Sequence, residues 1–265
     1  MKQKNCYTMQ DLLDIVALLR DPEHGCPWDK VQTHASIRKN FLEETYEVAD
    51  AIDLQDSHLL CEELGDVLLQ VALHTQMETE QETFSFEDVT TGICKKLILR
   101  HPHIFGDVKA DTPEAVLQNW ETIKRTEKHR ESAGDNLDSV PAALPALMRG
   151  RKVQKRAADY GFNYADTAAA LADLDSEVEE LKAALAANDA ENAEEELGDV
   201  LFSAVNVSRF AGCDAEEALS KSTAKFVRRF KAVEQLARAQ GKELQSLSAQ
   251  ELDKLWKQAK VFARP

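Results

Sequence analysis

The sequence predicts an all-α protein built from two tandem copies of one helical domain, and three observations lead to that prediction. Ala, Leu, Glu, Lys and Gln, which favour helices, dominate long stretches of the 265-residue chain, and glycine and proline are few. Hydrophobic residues recur at helical spacing in successive segments. The hexapeptide EELGDV occurs at residues 62–67 and again at 195–200.

In the first half, apolar residues at helical spacing predict a series of helices. Thr8 and Ser57 are predicted N-caps, and the breaker-rich loop DPEHGCPWD follows the first helix. Only the turn at 55–57 separates the second helix from the third, so these two should pack as antiparallel neighbours. The predicted helices span residues 8–20, 35–53, 58–78, 86–100 and 112–130.

The stretch ESAGDNLDSVP at 131–141 is polar and aperiodic, as in a linker. The predicted organisation is therefore an N-terminal domain at 1–130, a linker at 131–141 and a C-terminal domain at 142–265. Further helices are predicted at about 145–159, 167–187, 190–211, 215–240 and 248–261.

The two EELGDV copies belong to a longer repeat with an offset of 133 residues. GCPWD in the first half resembles GFNYA in the second, KLILRH resembles KFVRRF, and WETIK resembles WKQAK. The blocks keep their order, which indicates duplication of a domain of about 130 residues rather than a solenoid of many short repeats.

Composition excludes several classes of protein. The formal charge of -15 argues against direct binding of a nucleic-acid polymer, which usually requires a basic surface. Five cysteines without a CxxC pair fit free thiols in a reducing compartment better than a disulfide scaffold or a zinc site. The sequence has no secretory signal and no run of 18 apolar residues, so we expect a cytoplasmic protein that does not enter a membrane.

Carboxylates three residues apart occur on two neighbouring predicted helices of each copy. Residues at this spacing share a helix face, so antiparallel pairing would bring four carboxylates around one point. Glu63 follows Glu44 by 19 residues, and Glu196 follows Glu177 by the same interval. The predicted quartets are Glu44, Glu47, Glu63 and Asp66 in the first copy, and Glu177, Glu180, Glu196 and Asp199 in the second.

Four clustered carboxylates repel one another unless a cation lies between them. None of the seven histidines follows a Glu at the spacing used by di-iron bundles, so an all-oxygen site for Mg²⁺, or alternatively Mn²⁺, is favoured. Such an ion would bridge the acidic protein to a polyphosphate. A solvated acidic face is the alternative, but Leu64, Val67 and Leu68 around Asp66 indicate that the acids adjoin a core.

Basic residues follow each acidic hairpin and are candidate phosphate ligands. Ordinary pairs with neighbouring glutamates explain their spacing equally well. Trp120 and Trp256 are candidate nucleoside contacts, although a helical tryptophan is more often part of a core. His101 and His103 have no counterpart in the second copy and are weak acid–base candidates. The candidate cations are Lys225, Arg228 and Arg229 in the second copy, and Lys96 and Arg100 in the first.

Over nearly its whole length the chain resembles the MazG family of nucleoside triphosphate pyrophosphohydrolases. The motifs that carry the resemblance in the first half are GCPWDKVQTH, NFLEETYEVADAI, CEELGDVLLQV, KLILRHPHIFGD and NWETIK. Those in the second half are DYGFNY, EVEELKAAL, EEELGDVLFSAVN, KFVRRF and LWKQAK. Their order and number make the resemblance specific.

The resemblance implies tandem all-α domains whose four-helix cores are completed by homodimerisation. It implies Mg²⁺-dependent hydrolysis of nucleoside triphosphates to monophosphates and pyrophosphate by metal-activated water, a broad nucleotide range, and a house-cleaning or regulatory role. By position, the resemblance implies that the four carboxylates of the second quartet bind the metal and that they act in catalysis together with Glu195. It likewise makes Lys225, Arg228 and Arg229 the phosphate contacts and Trp256 the nucleoside contact, with Lys96, Arg100 and Trp120 as their first-copy equivalents.

One departure from the family pattern distinguishes the copies. The first copy keeps two adjacent acids, Glu43 and Glu44, whereas the second has Ser176 before Glu177. The second copy has the richer cationic block, so we predict that it is the main catalytic domain. A nucleotide sensor without turnover and a helical adaptor protein are the alternatives. Gly65 and Gly198, which cost about 1 kcal/mol within a helix, are predicted to allow close approach of the paired helix or of a phosphate.

Overall fold

Every regular element in the described part of the chain is a helix, which confirms the predicted all-α class. The structure is a computed structural model, and it describes residues 3–116, 119, 120, 123 and 132–262. Contacts divide the chain into two compact units, Met1–Lys128 and His129–Pro265. The exact limits proposed above for the two domains and the linker stay a prediction.

The helices of the first unit begin and end within about two residues of the predicted positions. Residues 113–116, 119, 120 and 123 are also helical, and the rest of the helix predicted at 112–130 lies outside the described residues. The helices are α1 (Met9–Leu19), α2 (His34–Leu54), α3 (Ser57–Glu80), α4 (Phe86–Arg100) and the short α5 (Pro102–Phe105).

The core of the first unit lies where α1, α2 and α3 meet, and it includes Val16, Ile37, Leu73 and Met77. Thr8 caps α1 as predicted, because its side chain accepts a hydrogen bond from the backbone N–H of the third helical residue.

The loop before α2 is held in place by one buried arginine. The Arg20 guanidinium forms two 2.8 Å hydrogen bonds with Glu80 and donates a third, of 2.7 Å, to the carbonyl oxygen of Asp29. This bidentate pair joins the end of α3 to the loop and fixes where α2 begins.

The second unit repeats this helical order, with one helix added at its start and, among its described residues, no α-helix in the place of the short α5. Its helices are α6 (Ala133–Asp138), α7 (Ala146–Ala158), α8 (Thr167–Ala187), α9 (Ala190–Phe210), α10 (Ala215–Ala239) and α11 (Ala249–Phe262). The core between α10 and α11 contains Val233, Ala237, Leu255 and Ala259.

Helix α6 lies in the stretch that the sequence predicts to be an aperiodic linker. Ser132 caps it, and the helix packs on α7. The Arg156 guanidinium on α7 donates to the carbonyl oxygen of Asn136 and, over 2.7 Å, to the hydroxyl of Ser139. The helix has fewer than two turns, too short for helical periodicity to reveal it.

The α2–α3 and α8–α9 hairpins are the most closely repeated elements of the two units. In both, a residue in the left-handed conformation ends the first helix, Gln55 (φ 55°) or Asn188 (φ 56°). The aspartate that follows, Asp56 or Asp189, caps the second helix. The predicted cap Ser57 is therefore wrong: Asp56 accepts hydrogen bonds from the N–H groups of the next residues, and Ser57 is the first helical residue. The two-residue turn makes the helices antiparallel, as predicted.

Among the described residues, none of the helices has the length and apolar character needed to cross a bilayer.

Candidate metal centres

Each repeated hairpin brings carboxylates from its two helices together. In the first unit, ligand oxygens of Glu44 on α2 and of Glu63 and Asp66 on α3 all lie within 4.8 Å of one another. In the second, the oxygens of Glu177 on α8 and of Glu196 and Asp199 on α9 meet the same limit. These spacings are compatible with a shared divalent cation bound through oxygen atoms.

The fourth carboxylate of each predicted quartet lies beside these three. Repulsion from Glu47 contributes to the raised pKa of Glu63, and repulsion from Glu180 to that of Glu196. Glu47 and Glu180 are both exposed, whereas Glu44 and Glu177 are half-buried. Each copy therefore has three converging acids and a fourth at the edge of the group.

The electrostatics of the first centre are those of carboxylates that repel one another. Burial, followed by repulsion from Asp66 and Glu47, raises the pKa of Glu44. Burial, followed by repulsion from Glu47, raises the pKa of Glu63. Both shifts favour the protonated form, so a bound cation would relieve a real electrostatic cost.

The second centre has the same electrostatics. Burial raises the pKa of Glu177 and of Glu196, and repulsion from Glu180 and Asp199 adds to both shifts. Every charged neighbour that contributes is another carboxylate, including Glu195 beside Glu196. Ser176, which replaces the first acid of the motif, donates its hydroxyl to Glu180 over 3.3 Å.

A polar network that the sequence did not reveal adjoins the second centre. Asp173 lies one turn before Glu177 on α8 and accepts a 2.7 Å hydrogen bond from the hydroxyl of Ser203 on α9. Burial, a hydrogen bond to Asp173 and the nearby charge of Glu177 raise the pKa of Tyr164 to about 12. At the 133-residue offset the first copy has Asn40 and Gln70 in place of Asp173 and Ser203, and the match of GCPWD with GFNYA places Trp28 opposite Tyr164, so the first copy cannot form this network.

The candidate phosphate ligands of the second unit lie on α10. Lys225 and Arg228 are exposed, and the Nε atom of Arg229 is buried without a hydrogen-bond partner among the described residues. Within the described residues, Lys225, Arg228 and Arg229 form no ion pairs. The pairs with neighbouring glutamates that their spacing allows are therefore absent from this cationic block. In the described structure no ion pair joins this block to the carboxylate quartet of its own unit, and none of its three cations contributes to the raised pKa of Glu177 or Glu196.

The equivalent residues of the first unit are placed differently. Lys96 is exposed on α4, while the guanidinium of Arg100 lies 5.4 Å from the centre of the Trp120 ring. His101 packs edge-on against the same ring, and its centroid lies 5.6 Å from that of His103. Trp120 therefore contacts two side chains of its own unit, Arg100 and His101.

Trp256 is half-buried on α11, where it packs beside the α10–α11 core and contacts Phe226 with ring centroids 5.2 Å apart. This is the core environment that a helical tryptophan most often has. Its role as a nucleoside contact stays a prediction.

The apolar residues and glycines of EELGDV do not pack as the sequence led us to expect. Leu64 and Leu197 are about half exposed, at 52% and 48%, so they do not turn into the core of a single chain. A Cβ atom added at Gly65 or Gly198 would meet nothing within 4 Å. Within one chain the paired helix therefore does not approach either glycine, and close approach of a phosphate stays a prediction.

Comparison with known proteins agrees with the repeat. A family model described as the MazG nucleotide pyrophosphohydrolase domain matches residues 32–105 and 166–234. Each matched segment contains one carboxylate hairpin.

Several relatives resemble the chain. It is 44% identical over 251 residues to a nucleoside triphosphate pyrophosphohydrolase of Escherichia coli strain K12, covering 94% of this chain and 95% of that protein. It is 42% identical to a nucleoside triphosphate pyrophosphohydrolase/pyrophosphatase MazG of Thermotoga maritima, covering 95% of both. A nucleoside triphosphate pyrophosphohydrolase of Mycolicibacterium smegmatis is 38% identical over 152 residues, 57% of this chain and 47% of that protein. The chain belongs to the MazG nucleotide pyrophosphohydrolase family.

Proposed function

We propose that this enzyme hydrolyses nucleoside triphosphates between the α- and β-phosphates, releasing a nucleoside monophosphate and pyrophosphate, with Mg²⁺ as cofactor. The observation that carries the proposal is the repeated convergence of three carboxylates within 4.8 Å in a chain of this family. The raised pKa values of Glu177 and Glu196 support it, because carboxylates that repel one another gain most from a cation.

The donor atoms determine which ion suits the centres. All the converging ligands are carboxylate oxygens, which favour Mg²⁺ or Mn²⁺ over zinc, copper or iron. When bound, such an ion polarises phosphate oxygens and lowers the pKa of water. Glu177, Glu196 and Asp199 would hold it. Glu180 contributes to the raised pKa of both Glu177 and Glu196, and Glu195 to that of Glu196, so both lie close enough to orient a water molecule.

The cationic block on α10 supplies the charge that a triphosphate requires. Lys225, Arg228 and Arg229 have no intramolecular ion pairs to break in the described structure, so phosphate oxygens would meet unpaired donors. Of the two equivalent cations in the described part of the first unit, Lys96 is in this condition, whereas Arg100 lies against Trp120. We therefore assign the main hydrolytic activity to the second unit and a weaker or regulatory site to the first.

A second copy of the chain would complete the site. Leu64 and Leu68 on α3 and the corresponding Leu197 and Leu201 on α9 are 40–52% exposed beside the carboxylates. Large apolar residues on α10, among them Phe226, are exposed as well. Homodimerisation would cover these faces and bring a cationic helix opposite an acidic hairpin.

The nucleotide range is proposed to be broad and to include non-canonical nucleotides, which fits a house-cleaning or regulatory role in nucleotide metabolism. All five cysteines are free thiols, consistent with action in the cytoplasm, where nucleotides are found. We expect no binding of a nucleic-acid polymer, because the chain carries a net charge of -15.

Product identification tests the proposal. The full chain is incubated with Mg²⁺ and a panel of ribo- and deoxyribonucleoside triphosphates, and the products are separated by ion-exchange chromatography. Monophosphate and pyrophosphate in equal amounts are expected. Diphosphate with inorganic phosphate would contradict the proposed cleavage site. Binding without turnover would identify a nucleotide sensor, and neither binding nor turnover would leave a helical adaptor.

A further inference from the structure

We propose that a cavity beside the second metal centre holds the base of the nucleotide and favours bases that carry an exocyclic amino group. The inference rests on the proposed function and adds a substrate preference to it. It places the base away from Trp256, the nucleoside contact that the resemblance implies, because Trp256 does not line this cavity. The cavity measures about 490 Å³, within the range of small-ligand sites, and lies between α7, α9 and the loop before α8.

The wall of the cavity suits a flat heterocycle. Phe162, Tyr164 and Phe202 contribute aromatic rings to it. Phe162 is 84% exposed in the loop between α7 and α8, an unusual position for so large an apolar side chain unless something covers it. Aromatic rings stack on every base, so they explain binding without explaining discrimination.

The position of the cavity suits a nucleotide whose phosphates lie at the carboxylates. Phe202 and Asn206 follow Asp199 on α9 by about 4.5 and 10.5 Å along the helix axis, at 1.5 Å per residue. Tyr164 also connects the cavity to the carboxylates. Its ring lines the cavity, and its hydroxyl forms a hydrogen bond with Asp173, one turn from Glu177. The base of one nucleotide can therefore occupy the cavity while its phosphates lie at the carboxylates.

Discrimination comes from one amide. Gln154 on α7 is 6% exposed, and its Nε2 donates to the carbonyl oxygen of Phe202 over 2.7 Å. Its Oε1 is buried and has no donor among the described residues. A buried acceptor without a donor costs free energy that a ligand N–H group would recover.

The other amides of the cavity wall have their oxygens occupied. Arg209 donates to Oδ1 of Asn206 over 2.7 and 3.1 Å, and also to Oδ1 of Asn163. The free acceptor at Gln154 thus matches the amino group of adenine or cytosine, and it opposes the carbonyl oxygen that hypoxanthine or uracil presents at the corresponding position.

The test compares pairs of nucleotides whose bases differ only in carrying an amino group or a carbonyl oxygen at the same ring position. Equilibrium binding of the α,β-methylene triphosphates of adenosine against inosine, and of cytidine against uridine, is measured on the full chain with Mg²⁺. We expect about tenfold tighter binding of the amino member in each pair, the size of one buried hydrogen bond. Equal affinities in the wild-type protein would overturn the proposal.

Two variants locate the effect. Gln154→Met should reduce both ratios to about one, whereas Gln70→Met should leave them unchanged. Gln70 is the matched control because it is also buried, at 5% exposure, with an unpaired Oε1, but lies in the first unit. Discrimination that survives Gln154→Met would show that the base is recognised elsewhere.

A third variant keeps the proposal testable if Gln154→Met does not fold. Ala157→Phe on α7 projects into the cavity from a half-buried position. It should weaken nucleotide binding at least about tenfold and leave tripolyphosphate binding unchanged; equal loss of both, or of neither, would contradict the assignment. Binding is measured without turnover, so discrimination without hydrolysis would reject only the proposed function, and hydrolysis without discrimination would reject only this inference.

Discussion

The two carboxylate hairpins have nearly the same geometry but different surroundings. Both have a left-handed residue and a capping aspartate in the turn, and both bring three acids within 4.8 Å. Beyond this shared frame, the second hairpin adjoins the Tyr164–Asp173–Ser203 network and the 490 Å³ cavity. The comparison indicates that the acidic hairpin was duplicated as a unit, and we propose that the groups around it determine which copy acts on substrate.

The largest expected effect concerns the carboxylate centre, which both copies have. Chelation of divalent cations should lower hydrolysis at least about 100-fold, since loss of an outer-shell partner alone typically costs about 10–100-fold. Pyrophosphate release is measured before and after EDTA, and again after Mg²⁺ is restored. Activity that persists in EDTA would remove the role assigned to both hairpins.

The cationic blocks give the next largest effect. Arg228→Leu places in the second copy the residue that the first has at Leu99. It should raise KM about tenfold, because it removes a charged donor from the phosphates. The matched control is Leu99→Arg, which should change KM little if the first copy contributes little turnover. Equal effects of the two substitutions would contradict the assignment of activity to the second unit.

Ser176 is expected to have a smaller effect. Ser176→Glu restores the pair of adjacent acids that the first copy has at Glu43 and Glu44. An added carboxylate raises the negative charge of the centre, so Mg²⁺ should bind about threefold more tightly. The reciprocal change, Glu43→Ser, should weaken Mg²⁺ binding to the first centre. Calorimetric titration of both variants compares the copies directly, and unchanged affinities would mean that this acid does not contact the ion.

The smallest effect is on stability, and its sign depends on pH. The pKa of Glu177 is raised in the folded chain above its ordinary 4.5, so the folded state binds more protons than the unfolded state between the two values. Stability therefore falls as pH rises through this window. Without metal at pH 7, Glu177→Gln should raise Tm by about 1–2 °C, the scale of a surface substitution.

The control for this prediction is the same protein at low pH and with metal. Near pH 4 the advantage of Glu177→Gln should disappear, because the wild-type carboxylate is then largely protonated. Saturating Mg²⁺ should make the wild type the more stable of the two proteins, since it binds the ion more tightly than Glu177→Gln does. Glu44→Gln should behave in the same way, because burial and neighbouring acids raise the pKa of Glu44 as well. A variant less stable than wild type at pH 7 in EDTA would show that the cluster is not strained by repulsion.

The sequence predicted the helices and the acidic centres because both depend on local spacing and on a repeat. Glu44 and Glu63 could be paired from their positions once a two-residue turn made the helices antiparallel. Each long helix also begins within about two residues of its predicted start.

What the sequence did not reveal depends on contacts between distant residues or on surfaces that one chain leaves open. Tyr164, Asp173 and Ser203 carry no local pattern, and they meet only because α8 and α9 pack. Leu64 and Leu197 belong to an apolar pattern that predicts a core, yet a single chain leaves them half exposed. Periodicity indicates that a face will be covered, but it does not say by which chain.

The central claim is that the second hairpin carries out most of the hydrolysis, and paired removal of equivalent ligands tests it most directly. Glu196→Gln and Glu63→Gln make the same change at matched positions of the two centres. Pyrophosphate release from one nucleotide is measured on both variants and on wild type. We predict a loss of at least about 100-fold for Glu196→Gln and less than about threefold for Glu63→Gln. Equal losses, or a larger loss for Glu63→Gln, would contradict the account.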